Sequence, residues 1–162
     1  GKLALFRLED PSAAIEARVE EPLLGQHAGQ LKDDELVIAL GRVQPDRFSG
    51  GSQATLTQIW SLPAARCRFG KYLCVTVGPT PPDVIRLLHE HPPQTEETEH
   101  GPLKRSLAVQ LHIERHGTGP DGRPLHAAAQ FELPNAAIWP GDEALAAWRA
   151  EAGGGQIRVV YE

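Results

Sequence analysis

The chain has 162 residues, 41% hydrophobic and 23% charged, with a formal net charge of −5. That composition fits one or two folded domains and excludes wholesale disorder and a long coiled coil. No run of about 18 apolar residues occurs, and residues 1–10 lack the basic segment and apolar core of a secretory signal. A cytoplasmic protein with no membrane partner is therefore expected. Two cysteines, Cys67 and Cys74, are too few for a disulfide framework or a four-ligand zinc site. Methionine is absent and the chain opens straight into a strand-like stretch, so a piece of a longer protein is expected. The acidic balance argues against strong nonspecific duplex binding without excluding nucleic acid.

In chain order, residues 2–8 read as a strand and 14–19 as a second, with Ile15, Ala17 and Val19 on one face. Glu9-Asp10-Pro11-Ser12 between them is a turn. Leu24, Ala28 and Leu31 predict a helix over 21–31, weakened by Gly25 and Gly29. Residues 35–44 are the strongest strand signal, with Gly41 marking a bulge or bend. Residues 45–52 form a polar, glycine-rich hairpin loop, and 53–60 return as a strand. The order β-β-α-β-β over 1–61 predicts most of a small Greek-key β-barrel with one strand too few.

Residues 62–71 predict a linker helix, with Arg66, Arg68 and Lys71 around Phe69. A strand follows at 73–77. Thr80-Pro81-Pro82-Asp83 opens a helix with a hydroxyl cap and Pro in its first turn, and Val84, Leu87, Leu88 and His91 share a face. Residues 92–102 read as an acidic loop. Residues 107–115 and 126–133 alternate as a hairpin around a turn at 116–124, with Ala127, Ala129, Phe131 and Leu133 inward. Asp142 caps a helix to about residue 151, and 156–161 close as a strand. Residues 72–162 thus predict a small α+β domain, β-α-β-β-α-β, with helices on one face of the sheet.

No catalytic constellation emerges. There is no G-x-S-x-G elbow, Walker loop or G-x-G-x-x-G, and Gly153-Gly154-Gly155 precedes a strand rather than a helix. His89 and His91 are spaced i, i+2, unsuited to joint ligation from a helix. His112 and His126 could face each other across the hairpin, but no third ligand is evident. Neither a metal site nor a cofactor is expected. Cys67, between Arg66 and Arg68, would have a lowered pKa if exposed. The main binding feature is the loop at 45–52, which sets Arg47 beside Phe48, a cation beside a stacking ring. Arg66, Arg68 and Lys71 around Phe69 are a second basic-aromatic cluster, with Phe69 as core the alternative. Lys2, Arg7 and Arg42 could line nearby strands. Against this, residues 1–61 hold six basic and nine acidic residues, and Phe48 tucked onto the barrel is the alternative.

Several short motifs fall in step with one family. Leu8-Glu9-Asp10, Ile15-Glu16, Leu36-Val37, Gly41-Arg42-Val43 and above all Asp46-Arg47-Phe48-Ser49-Gly50-Gly51 resemble the OB-fold module of the bacterial DNA polymerase III alpha subunit. Ala65-Arg66 and the closing Gln156-Ile157-Arg158-Val159-Val160-Tyr161 extend the resemblance to the family's last domain. It implies that residues 1–61 bind single-stranded DNA template through Arg47 and Phe48, with Lys2, Arg7 and Arg42 alongside. It further implies that residues 72–162 hold the clamp-loader tau subunit, for which Trp148, Arg149 and Tyr161 are the candidate surface, plain core packing being the alternative for Trp148 and Tyr161. The family's polymerase carboxylates lie in a palm domain that this chain lacks, so the parent would be the DNA-directed DNA polymerase and this part non-catalytic. The replicative enzyme and an error-prone paralogue both fit the resemblance. An OB-fold adaptor that binds protein and not nucleic acid is the competing expectation.

Overall fold

The computed structural model describes residues 1–98 and 100–162. The chain divides into two compact units, Gly1–Leu62 and Pro63–Glu162.

The first unit contains β1 (Leu3–Glu9), β2 (Ala14–Glu20), α1 (Leu23–His27), β3 (Val37–Pro45) and β4 (Ser52–Ser61). Its sheet runs in the order β1-β2-β4-β3. The β1–β2 and β3–β4 pairs are antiparallel hairpins, whereas β2 and β4 run parallel. Period-two alternation gives the sheet two unlike faces. Ala17, Val19, Ala54, Leu56 and Ile59 are buried on one of them, with Phe6, Leu8, Ile15, Leu23 and Leu24 packed alongside. The register slips between Leu40 and Gly41, the bulge expected at this glycine. A Cβ there would stand 2.7 Å from the Thr55 carbonyl oxygen, so the close strand approach requires glycine. Helix α1 is only five residues long, not the eleven expected, and has no side-chain cap. Without a cap, and with glycines inside and just after it, the helix has little to propagate it.

The second unit contains most of α2 (Leu62–Phe69), then β5 (Tyr72–Val77), α3 (Val84–Glu90), β6 (Gln94–Thr98), β7 (Gly101–Arg105), β8 (Leu107–Thr118), β9 (Pro124–Ile138), α4 (Asp142–Glu151) and β10 (Gln156–Val160). Four strands form a sheet in the order β10-β5-β8-β9, with β5 and β8 parallel. Leu73, Val75, Val77 and Val109 face Leu87 of α3 and Ala144, Leu145 and Trp148 of α4 in one core.

Several expectations need correction here. The acidic stretch at 92–102 is not a plain loop: β6 and β7 pair as a separate two-stranded hairpin, and Glu99 lies outside the described residues. Helix α3 is capped by the Asp83 side chain, which accepts from the Arg86 N–H at 3.2 Å, not by Thr80. Asp142 is the first residue of α4, after the N-cap Gly141. There it accepts from Arg66 at 2.9 Å, and the same guanidinium reaches the Pro140 carbonyl at 2.9 Å. The β8–β9 hairpin is much longer than expected and reaches well past the core. Its residues Ala127, Ala129 and Phe131 are therefore exposed, not inward.

The Gly153-Gly154-Gly155 run returns the chain from α4 to β10 against the end of β5. A Cβ on Gly155 would stand 1.7 Å from the Thr76 carbonyl oxygen. The glycines serve close backbone approach, and no phosphate role is needed to explain them.

Candidate nucleic-acid interface

The β3–β4 loop is built around one carboxylate. Asp46 accepts from the N–H groups of Phe48 at 3.0 Å and Ser49 at 3.1 Å, and from the Ser49 hydroxyl. Its own N–H donates to Gly51 O at 2.9 Å, and Gly50 N–H donates to Asp46 O at 3.0 Å. Gly50 sits at φ 73°, in the left-handed region, which a residue with a side chain enters only at a cost. The Ser49 hydroxyl, then the Phe48 N–H, hold the Asp46 carboxyl below its ordinary range. The loop is thus locally ordered, with Arg47 and Phe48 at its tip. Phe48 does not tuck onto the sheet: its relative exposure is 101%. A cation and a ring are offered side by side to solvent, the pairing that single-stranded nucleic acid uses for backbone attraction and base stacking.

A second loop of the same design lies at the same end of the sheet. Asp10 accepts from Ser12 N–H at 2.7 Å, the Ser12 hydroxyl at 2.6 Å and Ala13 N–H at 2.8 Å. These bonds, the Ser12 hydroxyl first, lower its carboxyl pKa. The strand directions require the shared end, since β2 and β4 run parallel and each follows one of the loops.

The remaining basic residues fall on the face opposite the small core. Arg7 stands opposite Glu16, which pairs with Gln53 and, beyond it, Gln44. In the next row Arg18 and Arg42 flank Thr55. The structure therefore puts Arg7 and Arg42 on one sheet face, near the Arg47–Phe48 loop. Lys2 precedes β1 at the far end of the sheet and is not part of this group. Arg7 is paired with Glu9 at 3.1 Å and Arg18 with Glu20. Among the described residues, Arg42 and Arg47 form no ion pair. Arg18 is the residue that the sequence reading overlooked; its place opposite Ile15, Ala17 and Val19 in the alternation was the available signal.

In the second unit the candidates separate. Trp148 has no exposed surface. It is a core residue of α4, so its ring is not available to a partner, and the i, i+3 spacing with Leu145 that marked the helix was itself the mark of a core face. Arg149 and Tyr161 are exposed, Tyr161 by half its surface. Cys67 is half-buried, and burial pushes its thiol up to about 11 despite nearby Arg105, the reverse of the shift expected for an exposed thiol. His112 does not face His126. It faces Gln130, while His126 faces His116, with ring centroids 4.7 Å apart. Among the described residues no helix is long and apolar enough to cross a membrane.

The chain is similar to DNA polymerase III alpha subunits. It is 32% identical to that of Neisseria meningitidis serogroup B over 112 residues, which is 67% of this chain and 10% of the relative. It is 32% identical to that of Pasteurella multocida over 77 residues, 48% of this chain and 7% of the relative. The Haemophilus influenzae subunit is 30% identical over a similar span. The chain thus spans a tenth or less of the length of these relatives. No family model and no solved structure matches it.

Proposed function

We propose that this chain is a non-catalytic part of a replicative DNA polymerase alpha subunit, and that its first unit guides single-stranded template. The observation that carries the reading is the fully exposed Phe48 ring beside Arg47 on an ordered hairpin loop. The sheet order supports it. An OB barrel without its first strand has two antiparallel hairpins joined through a helix, with the second strand of each hairpin side by side and parallel, as β2 and β4 are. Similarity to alpha subunits supplies the polymerase context. Within it, the second unit tethers the polymerase to the clamp-loader tau subunit, with Arg149 and Tyr161 as exposed contacts. A second attachment raises effective concentration and thereby processivity.

The adaptor reading keeps one observation in its favour: Arg7 and Arg18 are already neutralised by neighbouring glutamates. Fluorescence anisotropy with a labelled single-stranded oligonucleotide, over a salt series, separates the two. Template guidance requires salt-dependent binding that the Arg47→Ala/Phe48→Ala variant loses. Absence of binding at low salt favours the adaptor. Surface plasmon resonance against immobilised tau subunit tests the tether, which requires that Arg149→Ala/Tyr161→Ala weaken the interaction.

A further inference from the structure

The outer part of the β8–β9 hairpin gathers three metal-ligating side chains. Glu114 and His116 are two apart on β8 and therefore share a face of the ribbon. His126 of β9 is the direct cross-strand neighbour of His116, at the separation where side chains interact across a sheet. One donor atom from each of Glu114, His116 and His126 lies within 4.8 Å of the other two. His126 Nε2 is 3.9 Å from Glu114 Oε2, beyond hydrogen-bonding distance. Alanine, at position 128, stands across from Glu114 and leaves its carboxylate room to move.

We propose that Glu114, His116 and His126 form a binding site for a divalent transition-metal ion of the zinc class. Donors around a tetrahedral ion with bonds of about 2.1 Å stand roughly 3.4 Å apart. Reaching that spacing requires these exposed side chains to close in from their present separations of up to 4.8 Å. Two imidazoles and one carboxylate suit zinc, nickel or copper, whereas magnesium and calcium select all-oxygen shells. Arg115, between Glu114 and His116 in the chain, is engaged elsewhere: its guanidinium donates to the carbonyls of Val77 at 3.3 Å and Gly78 at 3.0 Å. Three protein ligands leave a coordination position for water or for a donor from a partner. An ion held by both strands ties together the part of the hairpin that has no core beneath it.

The test is isothermal titration calorimetry of the chelator-treated full chain with zinc chloride, with magnesium chloride run in parallel. The expected result is one zinc per chain and no magnesium heat. His116→Ala/His126→Ala is expected to lose more than the ~10–100-fold that disturbing a ligand's outer partners costs. Glu114→Gln, which keeps shape and removes charge, is expected to weaken zinc by at least about tenfold. All three side chains are exposed, so circular dichroism should be unchanged in both variants. If the double variant fails to fold, Glu114→Gln carries the test alone. No zinc heat with the parent chain, or equal zinc affinity in parent and variants, overturns the proposal.

Discussion

The two units solve the same problem with unequal means. The second has two helices to lay on one sheet face, and it buries Trp148, Leu73, Leu87, Leu107 and Ile138 almost completely. The first has one helix of five residues, and two of its five core side chains are alanines. It leaves Leu3, Leu5, Ile38, Leu40 and Val43 exposed. Its sheet also ends on two unpaired edges, β1 and β3, a surface that folded proteins ordinarily cover or charge. The second unit centres its core on the fully buried Trp148, whereas the first offers the fully exposed Phe48 ring to solvent beside Arg47. Phe131 and Tyr161 of the second unit are exposed as well. On the function proposed above, the core around Trp148 serves stability and the loop around Phe48 serves binding.

The largest effect is expected from Trp148→Ala. It empties the centre of the second core and should cost about 3–5 kcal/mol, read from urea denaturation of the full chain. Gly155→Ala should cost about 3 kcal/mol or more, a value typical of severe backbone or core disruption, because its methyl would meet the Thr76 carbonyl oxygen. Leu56→Ala, in the poorer core, should fall near the low end of the ~2–5 kcal/mol range. A cost equal to that of Trp148→Ala would erase the difference between the units.

Phe48→Ala should leave stability within about 0.5 kcal/mol, as surface changes do. The smallest effect is one of pH. The Asp46 carboxyl has a folded pKa below its unfolded value. Its contribution to loop order is present above the ordinary carboxylate pKa and is lost as pH falls through the lowered folded value. The amide resonances of Phe48 and Ser49 should therefore hold their positions through mildly acid pH and move only below the usual carboxylate range. Asp46→Asn should shift them at neutral pH.

The alternation of Ile15, Ala17 and Val19, the bulge at Gly41 and the Arg47–Phe48 loop were legible because local pattern and turn chemistry determine them. The β6–β7 hairpin was not, since Gln94–Thr98 and Gly101–Arg105 carry no apolar face and a proline interrupts the second strand. The pairing of His116 with His126 was missed through turn length. The expected turn spanned 116–124, but the strands continue to Thr118 and resume at Pro124 around Gly122 at φ 77°. That change of register moves His126 from His112 to His116. The burial of Trp148 depends on α4 docking on the sheet, a tertiary fact that no local window contains.

The decisive measurement is the affinity of single-stranded DNA for the parent chain, Arg47→Ala and Phe48→Ala at two salt concentrations. Stacking on an aromatic ring is worth about 1–3 kcal/mol per base, and each phosphate contact contributes to the salt slope. Phe48→Ala should weaken binding with the slope retained, while Arg47→Ala should weaken binding and flatten the slope. Equal affinity for all three chains, or no binding by the parent at low salt, would contradict a template-guiding loop.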